Sequence, residues 1–146
     1  MVEHIKEQRI MKRCLLLLSI ITLMVVSASA QRFSYDVIAS VSFDAQTQQY
    51  GKIQPLNMRI VKDGNTAIFI GADRYDLLQV NAEVDEEKTK YIEYTAINGN
   101  NEEFTIKVVH DGNAEHPVMR DFVLLINNSH IYDWTYYYTN APVKAE

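Results

Sequence analysis

From Arg32 to Asp44 the chain alternates with period two. Phe33, Tyr35, Val37, Ala39, Val41 and Phe43 fall on one face, and Ser34, Asp36, Ser40, Ser42 and Asp44 on the other; only Ile38 breaks the pattern. Alternation of this length predicts a strand with one buried face. The pattern recurs at shorter range. Strands are predicted over Gln54–Lys62, with Leu56, Met58 and Ile60 inward, over Thr66–Gly71 and over Arg74–Ala82. Lys88–Ile97 comes next, with Ile92, Tyr94 and Ala96 alternating against Lys90, Glu93 and Thr95. In Glu102–His110, Phe104, Ile106 and Val108 alternate against Glu103, Thr105 and Lys107. Met119–Asn127 is apolar on both faces, the mark of a strand covered on both sides, and His130–Thr139 completes the set. Gly51, Gly64, Gly99 and Gly112 fall between these segments and Gly71 ends one of them. Asp63-Gly64-Asn65 and Asn98-Gly99-Asn100-Asn101 read as tight turns, and no stretch has helical periodicity. Eight short strands joined mostly by tight turns predict an all-β domain of antiparallel neighbours in meander order. Such a meander closes into an up-and-down barrel or, alternatively, folds into a two-layer β-sandwich.

The residues ahead of this domain read as an export leader. Lys12 and Arg13 precede the apolar run Leu15–Val26, and Ala28-Ser29-Ala30 closes it. A basic region, a run too short to span a bilayer and a small-residue end describe a secretory signal over residues 1–30, cut before Gln31. Glu3 and Glu7 suit such a leader poorly, so Met11 is the better start. The alternative is an uncut membrane anchor; after cleavage no stable membrane span remains. Residues 31–140 then form a single β-domain, 141–146 a frayed tail, and the expected location is periplasmic or extracellular. The single cysteine, Cys14, lies in the leader. The remaining chain therefore has no disulfide and no thiol ligand, and its stability must come from a core.

Residues 1–30 hold four basic and two acidic residues, which leaves 10 basic and 17 acidic residues and a net charge of −7. Nucleic acid and anionic lipid need clustered cations, so neither is an expected partner.

One feature suggests a contact surface. Tyr132, Trp134, Tyr136 and Tyr138 share a face of the last strand. Amphipathic rings in a row suit a platform for sugar rings or the wall of an apolar pocket; packing on a sheet explains the same pattern. His110, Asp111, Glu115 and His116 crowd together without the spacing of a metal motif, and Asp85-Glu86-Glu87 reads as a solvated turn. No metal and no cofactor is expected, for there is no phosphate-binding glycine loop. Nor is there a nucleophile elbow. Catalysis would need a carboxylate pair, such as Asp36 with Asp121 or Asp133, assembled by folding.

The leader end Ala28-Ser29-Ala30-Gln31 and the short acidic all-β domain behind it resemble the small exported proteins of unknown function of the Bacteroidetes type. An Asp-Gly-Asn turn, an apolar strand and a tyrosine (Asp63 to Tyr75) precede a late hairpin rich in isoleucine and tyrosine (Leu124 to Tyr138), a layout similar to theirs. That resemblance implies no known activity. Lipocalins carry an early Gly-x-Trp signature that this chain lacks, its one tryptophan being Trp134; what remains is a similarity to calycin-like barrels in outline. The expected function is a non-enzymatic exported domain that binds a small apolar or sugar-like molecule, the alternative being an interaction module for a cell-envelope protein. A carboxylate-based hydrolase is the third reading.

Overall fold

The computed structural model of the protein describes residues 6–9, 11, 12 and 31–145. The leader run Leu15–Val26, Cys14 and the cut after Ala30 lie outside the described residues. From Arg32 on the chain is almost entirely β. Its strands are β1 (Arg32–Asp44), β2 (Gln49–Tyr50), β3 (Gln54–Asp63), β4 (Ala67–Ile70) and β5 (Asp73–Asp85). They continue as β6 (Thr89–Ile97), β7 (Glu103–Asp111), β8 (Asp121–Asn127), β9 (Asp133–Thr139) and β10 (Val143–Ala145). A single 3-10 turn, Pro117–Met119, precedes β8. Strands β1 and β3 to β9 pair antiparallel with their sequence neighbours, and β9 returns to pair with β1. The result is a closed eight-stranded barrel in meander order, not a sandwich. β2 pairs with the last residues of β1. Val143–Ala145, read from the sequence as part of a loose tail, instead pairs with the first residues of β1 as β10.

Turn chemistry matches the sequence closely. Gly64, between β3 and β4, has φ 54°, a left-handed conformation that costs glycine little and other residues more. Gly71 has φ 61°, so its backbone favours glycine, and a Cβ there would stand 2.9 Å from the sulfur of the flexible Met58 side chain, which would have to shift. At the β6–β7 turn the left-handed residue is Asn101 (φ 59°), not Gly99. The Asn98 carboxamide oxygen accepts from the backbone N–H groups of Asn100 and Glu102 and fixes that turn.

The core is the barrel interior. Tyr94, Ile68, Ile106 and Val123 are each 0 % exposed and Ile60 1 %, so the middle of the barrel is filled. Tyr35, Val37, Ile70, Tyr75, Ala96 and Phe104 complete the buried set.

The β1 face is where the structure departs from the alternation. The register steps between Val37 and Ala39 against both β3 and β9. A bulge inserts an extra residue and re-aims the side chains beyond it. Before it, Phe33, Tyr35 and Val37 point inward. After it, Ser40 pairs with the inward Tyr137, while Ala39, Val41 and Phe43 pair with Tyr138, Tyr136 and Trp134 on the outer wall. One strand therefore serves two apolar layers, and the lone misfit, Ile38, marks the switch. β8 is covered on both faces, as its composition predicts. Val123 and Leu125 belong to the interior, and Leu124 is buried outside it, paired with Tyr136.

The second half of β5 stands apart. β4 pairs with β5 only from Asp73 to Asp76. Beyond Leu77, whose N–H donates to Thr66 O at 2.9 Å, the ladder continues with β6 alone, through two further register steps. The β5–β6 hairpin thus rises past the β3–β4 turn and leaves an opening at one end of the barrel.

Candidate functional site

That opening is the mouth of the barrel, an open cavity of about 580 Å³. Its apolar wall comes from Phe33, Ile92 and Val108, half-buried residues packed on the core. Its polar lining comes from strand ends that continue the inward row by one more step. Lys62 comes after Ile60 on β3, Lys90 precedes Ile92 on β6, His110 comes after Val108 on β7, and Asp121 precedes Val123 on β8. The register confirms the row: Phe33 faces Lys62, Lys90 faces His110 and His110 faces Asp121. Lys90 therefore shares a face with Ile92, contrary to the sequence expectation that set it with Glu93. Glu83 and Asp85 approach from β5.

Charges at the mouth are unevenly matched. His110 Nδ1 lies 2.8 Å from Asp121 Oδ1, and Lys90 Nζ lies 3.6 Å from Asp85 Oδ1. The Lys62 ammonium stands 5.6 Å from the centre of the Tyr94 ring. Burial lowers its pKa, and the charge of Glu83 pulls partly the other way. The Tyr94 hydroxyl donates to Asn65 Oδ1 at 2.6 Å. Burial first, and then the charges of Tyr35 and Glu83, push the Tyr94 phenol up. Tyr35 is pushed up to about 12 by burial and by the Asp121 carboxylate. Both phenols thus hold their protons more firmly than free tyrosine, and that of Tyr94 is donated to Asn65.

The aromatic stripe lies elsewhere. Trp134, Tyr136 and Tyr138 project from the outer wall of β9, and Tyr132 sits in the turn before it, 51 % exposed. The aromatic residue of β9 that joins the interior is Tyr137. On the outside, Phe43 packs against Tyr50, Trp134 and Tyr136 at centroid distances of 4.6, 5.4 and 6.3 Å. Phe122 packs on Tyr136 and Tyr138, whose rings stack at 6.2 Å. Trp134 Nε1 donates to Ile131 O. This is a second apolar layer, a belt across β1, β8 and β9, partly roofed by Tyr50 of β2.

The remaining sequence candidates are dispersed. Asp36 faces outward and pairs with Arg59 at 3.3 Å, whereas Asp121 faces the cavity and Asp133 begins β9 at the opposite end of the barrel. Neither weighed carboxylate pair is brought together. His116 Nδ1 accepts from Val118 N, and Asp111 Oδ1 accepts from Asn113 N, so both shape the loop. Among the described residues no group of three or more His, Cys, Asp or Glu side chains is placed to hold a metal ion. Among them, too, no helix is long and apolar enough to cross a membrane.

The mouth itself was missed in the sequence. Its signal was present: charged residues that continue an inward row, all at strand ends meeting at one rim. No protein-family profile, curated protein or solved structure matches the chain.

Proposed function

We propose that the chain is an exported, non-enzymatic binding domain whose barrel mouth takes a small amphipathic molecule. The supporting observation is the coexistence there of an apolar wall and convergent polar groups over a filled barrel, the usual make-up of a small-molecule site. The filled middle makes the mouth, rather than a central chamber, the place for a ligand. Export fits the leader read from residues 1–30, and the exposed Asp36, Arg59 and Asp76 suit an outer wall that meets water, where a membrane barrel carries an apolar band. The location is the periplasm or beyond.

The test is titration with the neutral fluorescent amphiphile N-phenyl-1-naphthylamine. One molecule per chain is expected to bind. Val108→Glu, which places a charge on the apolar wall, is expected to weaken binding at least tenfold, while Trp134→Ala leaves it within twofold. Loss of binding in Trp134→Ala and not in Val108→Glu, with both variants folded by circular dichroism, contradicts the proposal.

The outer belt favours a second reading, an interaction module for an envelope protein or a platform for sugar rings built on Trp134, Tyr136 and Tyr138, with Tyr132 at its margin. Its support is the contiguous run of rings and the 63 % exposure of Tyr50 at its edge.

A further inference from the structure

We infer that the molecule held at the barrel mouth is a monoanionic amphiphile, a carboxylate with an apolar body, whose charged group sits at Lys62. This rests on the proposed use of the mouth as a binding site and names the ligand class that site selects.

Lys62 lies on the inward row of β3, opposite Phe33 on one side and the fully buried Ile68 on the other. Its side chain is half-buried in the cavity lining. The other nitrogen bases of the mouth are matched: Lys90 with Asp85, and His110 with Asp121. Among the described residues no carboxylate lies within 4.0 Å of the Lys62 ammonium. The Tyr94 ring face at 5.6 Å and the more distant charge of Glu83 compensate it only in part. A partly desolvated cation without a direct ion pair is costly, and a ligand carboxylate relieves that cost with a charge-assisted hydrogen bond. Its lowered pKa is the same cost in another form.

The neighbours restrict the charge further. Glu83, Asp85 and Asp121 line the same cavity, and the chain as a whole is acidic. One negative charge finds Lys62; a second meets carboxylates. Phosphate dianions, nucleotides and polyanions are therefore disfavoured. Phe33, Ile92 and Val108 receive the apolar body, whose burial adds affinity with each methylene.

The experiment is calorimetric titration of the full protein with octanoate, 1-octanol and octyltrimethylammonium. Octanoate is expected to bind one to one, at least tenfold tighter than octanol, with the cation weakest. Lys62→Met, which keeps the side-chain length, is expected to lose at least tenfold for octanoate while octanol stays within twofold. Lys90→Met is expected to stay within threefold for octanoate. In a titration series from about pH 8 to 10, octanoate binding is expected to take up protons as Lys62 begins to lose its own, seen as heats that change with buffer ionisation enthalpy, because burial lowers the Lys62 pKa and the bound carboxylate raises it again. This readout needs no variant. Equal affinity for acid and alcohol, tighter binding of the cation, unchanged octanoate binding in folded Lys62→Met, or no proton uptake overturns the anion assignment while leaving the mouth as a site. Failure of all three probes to bind overturns both.

Discussion

The molecule has two apolar layers that share a strand and little else. The inner core draws on all eight barrel strands and closes over itself, with Tyr94, Ile68, Ile106 and Val123 fully shielded. The outer belt draws on β1, β8 and β9 and is only partly covered: Val41 and Phe43 are buried beneath it, yet Tyr50 and Tyr132 stay open to solvent. Closed pairing leaves the middle of the interior no free surface, so the rings there serve stability, and the inward row opens only at the mouth. The belt lies on one side of a finished wall, and its rings are free for contact as well as packing. Equal hydrophobicity in sequence thus corresponds to unequal roles in structure.

At high pH the layers differ in degree, for burial raises Tyr136 and Tyr138 of the belt too. Tyr35 and Tyr75 are pushed up to about 12, chiefly by burial. Folded, they keep their protons above 10, where unfolded tyrosine releases them. Between pH 10 and 12 the folded state therefore binds more protons than the unfolded one, and stability falls as pH rises through that window. An alkaline melt is expected to unfold the barrel within it, absorbance at 295 nm rising together with loss of the β circular-dichroism signal. A full 295 nm transition with the fold intact contradicts the inner placement of these rings.

Truncation separates the layers next. Ile106→Ala opens a void in the filled interior and is expected to cost about 3 kcal/mol in urea unfolding. Trp134→Ala removes a half-buried ring from the belt and is expected to cost less, about 1–2 kcal/mol. Equal losses would merge the two layers into one core.

A smaller gain is expected where they meet. Thr139, 4 % exposed and opposite Val37 at the bulge, has a buried hydroxyl with no hydrogen-bond partner among the described residues. Thr139→Val keeps the shape and removes the unpaired group, so it is expected to raise stability by about 1 kcal/mol. A loss of that size would show that the hydroxyl has a partner.

Much of the barrel was legible in the sequence because strand alternation and turn chemistry are local. Arg32–Asp44 matches β1 residue for residue, and the turns at Gly64 and Asn98 fall where their residue types place them. Which side of the wall a row faces is not local. Ala39, Val41 and Phe43 continue the parity of Val37 yet lie outside, because Ile38 carries a register step that only pairing with β3 and β9 reveals. The same limit hid the mouth. Lys62 and His110 keep the parity of their inward neighbours, but nothing in one strand says that their ends converge on one rim. The aromatic stripe was legible as a row of rings; its place on the outer wall depended on Tyr137 turning inward beside Val123.

The face switch at Ile38 is the claim on which both layers depend, and side-chain proximity by NMR tests it directly. In isotope-labelled protein, the Phe43 ring is expected to show NOEs to Trp134 and Tyr136, and Val37 to show them to the inner residues Ile60 and Ile106. NOEs from Val41 or Phe43 to Ile106 or Tyr94, with none to Trp134, would place the whole alternating face of β1 inside and contradict the account.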